Sequence, residues 1–181
     1  MYGLVNKAIK DLVCEKFGED KWQEIKKLSG FEDDFFIGMQ TYPDSLTYSL
    51  VKNASTVLGA EASVVMEAFG EYWILYTANE GYKEMMELSG ENLPEFLNNL
   101  DMLHERVSQI MPNLHAPQFN TRNETENSIE LEYRSHREGL TPMVVGLLRG
   151  LGKRFGVNDL KISHIQQKNE INDCHVFRMD W

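Results

Sequence analysis

At 181 residues the chain can form one domain, or two intimately packed subdomains, and can bury roughly 70% of its unfolded surface. Lys and Arg number 18 against 28 Asp and Glu, a formal charge of −10, which repels nucleic acid and anionic membrane and removes both as default partners. Cys14 and Cys174 lie far apart and fit no CxxC pattern, so they read as free thiols in a reducing, cytoplasmic setting.

The first half reads as all α. Leu4, Val5, Ala8, Ile9, Leu12 and Val13 line one face of a helix from Tyr2 to Phe17, stopped by Gly18. Its Lys7, Lys10, Asp11 and Glu15 make it neither a signal peptide nor a membrane span. Trp22 and Ile25 belong to a second short helix ending near Gly30, and the aromatic, acidic run from Phe31 to Met39 reads as a loop. Asp44 or Ser45 caps a helix through Leu58, closed by Gly59. Glu61 to Thr77 is the longest apolar-rich helix, and a short one runs from Tyr82 to Leu88.

Leu93 to Met111 is the best-specified helix. Asn92 caps it, Glu95 completes a capping box, Pro94 fits the first turn and Pro112 marks the stop. Its apolar stripe carries one imidazole, His104, between Leu100 and Val107, while Asp101, Glu105 and Arg106 point to water. A buried imidazole needs a partner: a backbone carbonyl in a plain core, or a ligand.

Past Pro117 the period changes. Ser128 to Arg137 alternates as a strand, and Lys161 to Gln167 and Cys174 to Met179 read as further strands. Thr141 caps and Pro142 opens a helix through Phe155, whose Gly146 and Gly150 thin one face for a close approach. The fold class is therefore α+β, an N-terminal helical part followed by a part with a small antiparallel sheet.

On the first of these strands Glu130, Glu132, Arg134 and His136 share a solvated face. The other face runs from Ile129 and Leu131 to a phenol, a hydroxyl and a guanidinium at Tyr133, Ser135 and Arg137. An unpaired buried Arg costs roughly 3–5 kcal/mol, so these donors call for an acceptor, either an internal carboxylate or a bound dianion. A lone imidazole in an apolar helical cavity plus donors for two carboxylates describes a haem site.

Several motifs agree with that reading in order and spacing: Met-Tyr-Gly-Leu-Val-Asn at the start, Ala-Phe-Gly at 68–70, Asn-Leu-Asp-Met-Leu-His at 99–104, Ala-Pro at 116–117, Tyr-Arg-Ser-His-Arg at 133–137 and Ile-Gln-Gln-Lys-Asn-Glu at 165–170. Through them the whole chain resembles the haem nitric-oxide/oxygen-binding (H-NOX) domain, the haem module of the soluble guanylate cyclase β-subunit and of stand-alone bacterial sensors. The resemblance implies a helical subdomain over about 1–60 and a haem-cradling α/β subdomain over about 61–181, with haem b (Fe-protoporphyrin IX) between them. By the same resemblance His104 is the axial iron ligand, and Tyr133, Ser135 and Arg137 hold the propionates. Pro117 presses on the porphyrin, and Val5, Trp73, Met143 and Leu147 form the distal wall.

Oxygen-binding members place a distal tyrosine where this chain has Met143. The resemblance thus implies a sensor that binds NO and CO at ferrous haem and excludes O2. With no cyclase catalytic domain in these residues, it would signal to a separate histidine kinase, cyclase or diguanylate cyclase/phosphodiesterase when NO weakens the His104–iron bond. A peroxidase would need a distal acid–base pair, which Val5, Trp73, Met143 and Leu147 do not supply. A haem carrier without signalling and an O2-binding sensor are the remaining alternatives.

Overall fold

The computed structural model describes residues 1–77 and 81–181. Two helices open the chain, α1 (Gly3–Phe17) and α2 (Glu19–Leu28), separated by Gly18 at φ 89°. They enclose Ala8, Ile9, Leu12, Val13, Trp22 and Ile25. The run from Phe31 to Met39 is a loop as its composition predicts, but it packs. Phe31 and Phe36 stack at 4.0 Å, with Tyr42 edge-on to Phe36 at 5.4 Å, and both phenylalanines are buried. Helix α3 (Asp44–Leu58) ends on Gly59 in the left-handed region, as predicted. Neither Asp44 nor Ser45 caps it; the side chain of Asp44 is committed elsewhere.

Helices α4 (Ala62–Thr77), α5 (Lys83–Glu87), α6 (Leu93–Asn98) and α7 (Leu100–Ile110) follow. The single helix predicted over Leu93–Met111 is divided at Asn99, whose φ of −102° and ψ of 6° leave the helical region. Its side-chain amide donates to the Ser89 carbonyl at 3.0 Å, a tertiary bond that competes with helical continuity. The Asn92 cap forms as read, accepting from the Glu95 N–H at 3.0 Å, and Glu95 reaches back to the Glu91 N–H at 2.8 Å.

The sheet has strands β1 (Gln118–Arg122), β2 (Ser128–Arg134), β3 (Lys161–Gln166) and β4 (His175–Asp180), antiparallel in the order β1-β2-β4-β3. Its inner face pairs Ile129 with Met179, Leu131 with Phe177 and Tyr133 with Phe119. Strand β1 escapes a sequence reading because Gln-Phe-Asn-Thr-Arg offers one apolar residue and no alternation. Strand β2 stops at Arg134, so Ser135 and Arg137 stand on the segment beyond it rather than on the strand. The charged face of β2 is also less wet than its composition suggests. Glu130 is only 8% exposed, held by Arg122 and Asn123 at 2.9 Å each, and Glu132 bonds Arg122 and Arg134.

Helix α8 (Thr141–Arg154) lies across α4 at close range. A Cβ on Gly70 would strike the Met143 carbonyl, and one on Gly146 would strike the Glu67 carbonyl. The small residues read in the sequence thus set this approach, with Gly70 as their counterpart on α4. Arg149–Glu67 and Lys153–Glu71 ion pairs flank the crossing. Thr141 is the first helical residue of α8 rather than its cap.

Among the described residues two buried clusters result. One joins α1, α2, α3 and the loop with Phe69 and Tyr76 of α4. The other joins the sheet, α6 and α8 with Ile74 of α4.

Candidate functional site

A cavity of about 660 Å³ is lined from both clusters, and its wall is predominantly apolar. Every residue marked from the sequence borders it: Val5 from α1, Trp73 from α4, His104 from α7, Pro117 before β1, Tyr133 on β2, Ser135 and Arg137 beyond it, and Met143 and Leu147 from α8. Fold geometry gathers them from positions spread across most of the chain.

Helix α7 turns Leu100, Leu103, His104 and Val107 to the cavity, so its apolar stripe is a wall rather than a packed core. His104 Nδ1 is buried and makes no hydrogen bond among the described residues. Burial lowers the imidazole pKa, and the charge of Asp101 and the Leu100 carbonyl, which lies near the ring but outside hydrogen-bond geometry, pull it back only in part. The ring is therefore neutral at pH 7 and keeps a lone pair for a ligand. It lies nearly parallel to Phe119, 5.6 Å between centroids, and Phe119 in turn contacts the Tyr133 ring at 5.4 Å.

Asp101, placed in water by the sequence pattern, instead accepts the Phe119 N–H at 2.7 Å. It fastens α7 to the start of β1 beside the histidine. The pattern misses it because its partner is a backbone group of a strand that the sequence does not announce.

The donor cluster also has internal partners. Arg137 Nε donates to Asp44 Oδ2 at 2.6 Å, and Nη1 donates to the His115 carbonyl at 2.8 Å. The Ser135 hydroxyl accepts the Arg137 N–H at 3.0 Å. Burial raises the Tyr133 pKa despite the nearby Ser135 hydroxyl and Arg137 charge, so the phenol remains a protonated donor. Of the two acceptors open to Arg137 from the sequence, an internal carboxylate exists, and it comes from α3.

Trp73 and Met143 share the lining with Val5, Phe69, Leu147, Thr77 and Tyr82. Thr77 Oγ1 is turned onto the carbonyls of Trp73 and Ile74, at 2.8 and 3.3 Å. Neither Thr77 nor Tyr82 is marked in the sequence, since no chemical motif surrounds them. Both thiols are poor nucleophiles: burial and the Glu19 carboxylate push Cys14 up to about 12, and burial raises Cys174.

A flat apolar cofactor with one metal-binding axis and anionic edges fits this wall. For such a group the buried His104 imidazole would serve as the axis, and Tyr133, Ser135 and Arg137 would serve as the donors. Comparison with known proteins bears on the same point. The profile described as haem-NO-binding matches residues 2–164. Soluble guanylate cyclase gcy-32 of Caenorhabditis elegans is 32% identical over 179 residues, covering 97% of this chain and 26% of the relative. Soluble guanylate cyclase 89Da of Drosophila melanogaster is 25% identical over 172 residues, covering 95% and 26%. This chain therefore spans about a quarter of the length of such relatives.

Among solved structures, an H-NOX protein from S. oneidensis in the Fe(II)NO ligation state superposes with a TM-score of 0.87 at 21% identity, covering 99% of this chain and 98% of that one. A mutant H-NOX protein from S. oneidensis in the Fe(II) ligation state gives 0.89, at 21% identity and 99% and 95% coverage. These likenesses establish the α+β fold inferred from the sequence. With the profile matched over nearly the whole chain, the protein belongs to the haem-NO-binding family of haem-containing gas-sensor domains.

Proposed function

We propose that this chain is a haem b gas sensor with His104 as the axial protein ligand to iron. Tyr133, Ser135 and Arg137 hold the cofactor's carboxylates, Pro117 presses on the ring, and Val5, Trp73, Met143 and Leu147 form the ligand side. The observation that carries the reading is the buried His104 imidazole, without a partner at Nδ1 among the described residues, on the wall of a cavity bordered by that donor cluster. Haem held there would supply a ferrous iron able to take NO or CO, with His104 as the protein group whose hold on that iron NO would weaken.

The chain's part is to hold and to respond. The Asp101–Phe119 bond and the His104–Phe119 stack tie the histidine helix to the sheet, so a shift of His104 pulls on β1. This gives a ligand-biased element of the kind a signalling partner can read. We assign that readout to a histidine kinase, cyclase or diguanylate cyclase/phosphodiesterase in the cytoplasm. Among the described residues no helix is long and apolar enough to cross a membrane.

Arg137→Ala should accelerate haem loss more than Tyr133→Phe. A charged hydrogen bond contributes about 1.5–3 kcal/mol against about 0.5–1.5 for a neutral one. Transfer of haem to excess apomyoglobin measures both rates, and wild-type retention in the two variants would place this segment away from the cofactor.

Ligand choice follows from the distal wall. A distal hydroxyl favours O2 over NO by roughly 1–2 kcal/mol, and Met143 supplies none. The ferrous protein should form NO and CO complexes but no lasting oxy spectrum in air, and Met143→Tyr should raise its O2 affinity. Absorption spectra under each gas decide the matter. A stable wild-type oxy spectrum would assign the donor role to Trp73 or Tyr82 and make the chain an O2 sensor.

A further inference from the structure

Tyr133 lies between two rings. Phe119 of β1 contacts it at 5.4 Å, and His175 of β4 stacks on it from the other neighbouring strand at 6.1 Å. His175 also makes polar contacts, and they converge on one atom. The Lys168 N–H donates to His175 Nδ1 at 3.2 Å, and His164 Nε2 of β3 stands 3.1 Å from the same nitrogen. A backbone N–H can only donate, so Nδ1 carries a lone pair and the His175 proton sits on Nε2. His164 Nε2 faces that lone pair and therefore carries its own proton. The contacts then reach the cavity wall. Lys168 Nζ donates to the Ser135 carbonyl at 3.2 Å, on the short segment that also holds Arg137.

We propose that neutral His175 is a positioning residue for the carboxylate clamp: it flanks Tyr133 by stacking and, through Lys168, holds the segment of Ser135 and Arg137, and a proton on its Nδ1 undoes the second hold. The inference rests on the clamp role given above to Tyr133, Ser135 and Arg137. A proton on Nδ1 would set an N–H against the Lys168 N–H, two donors with no acceptor between them. Among the described residues the titratable groups set against His175 are Tyr133 from β2, His164 from β3 and Lys168 from the connection between β3 and β4. Burial lowers the His175 pKa, and His164 and Lys168 lower it further, so the lone pair is present at pH 7. Because the folded value is depressed, the stability from this hold is complete above the ordinary imidazole value. It is lost as pH falls through the lower, folded value.

Nuclear magnetic resonance spectra of the isotope-labelled, CO-ligated protein, which is diamagnetic, follow each link separately. As pH falls, the Lys168 amide should shift with the midpoint of the His175 ring, and the Ser135 amide should shift with it. His164→Phe should raise that midpoint, because one of the groups that lowers it is gone. Lys168→Met keeps the N–H and removes the ammonium, so the amide at position 168 should still follow His175 while that of Ser135 ceases to. His175→Asn offers Oδ1 as an acceptor at every pH and should hold the Ser135 amide at its high-pH position throughout. Above the imidazole range, His175→Phe keeps the stack and loses the acceptor. It should release haem to apomyoglobin several-fold faster than the wild type.

A Lys168 amide that ignores the His175 titration overturns the proposal, and so does a Ser135 amide that still follows it in Lys168→Met. Wild-type haem retention in His175→Phe, with accelerated loss from Arg137→Ala, overturns it as well and leaves the clamp in place. Wild-type retention in both variants removes the clamp reading and takes this proposal with it. His164 and Lys168 are exposed, so their variants decide the matter should substitution of His175 unfold the protein.

Discussion

His104→Gly should release haem faster than any other single substitution in the cavity wall, and free imidazole should restore the histidine-ligated spectrum. The expectation follows from what surrounds the ring. Its Nδ1 has no hydrogen-bond partner among the described residues, its pKa is lowered by burial, and Phe119 stacks on it. Removing it therefore breaks no hydrogen bond of the protein at that nitrogen, and the fold should tolerate the change. Loss of outer-shell partners costs metal sites about 10–100-fold in affinity, so loss of the direct ligand should cost more. Far-ultraviolet circular dichroism separates a folded, haem-poor variant from an unfolded one. Unchanged absorption spectra in the glycine variant would remove His104 from the iron.

The second large effect belongs to a residue with no chemistry at all. Gly146→Ala should destabilise the protein at the upper end of the roughly 1–3 kcal/mol range for overpacking, lowering the melting temperature by about 6–12 °C. The added methyl group would meet the Glu67 carbonyl, which is backbone and cannot rotate aside, so α8 must move away from α4. That crossing carries Trp73 on one helix and Met143 and Leu147 on the other, so the ligand side of the cavity should widen with it. Gly38→Ala is the control, since among the described residues nothing lies within 4 Å of its new methyl group. Equal melts for the two variants would show that α4 and α8 can separate at no cost.

How much of this is legible in the sequence depends on how local each signal is. Helix stops at Gly18 and Gly59 are readable because a glycine at positive φ is a one-residue signal. The pairing of a stripe histidine with a donor run at 133–137 is readable because few ordinary cores need both. What escapes is set at a distance. The break at Asn99 is offset by a bond to Ser89, the Asp101 carboxylate by an N–H on β1, and the buried Glu130 by Arg122 and Asn123. None of these partners lies within one helical turn of its mate, so periodicity carries no trace of them. The Asp44 carboxylate misleads for the same reason: helix-capping chemistry is local, and Arg137 is not.

The sharing of α4 between the two buried clusters has a consequence for cooperativity. Phe69 and Tyr76 pack among the N-terminal helices, while Ile74, on the same 16-residue helix, packs with the sheet and α8. Melting α4 for the sake of one cluster strips the other of side chains it cannot replace. A beam common to both floors cannot be withdrawn from one alone, so the chain should unfold as a single two-state unit despite its two cores, with Trp22 fluorescence and the far-ultraviolet signal lost at one temperature.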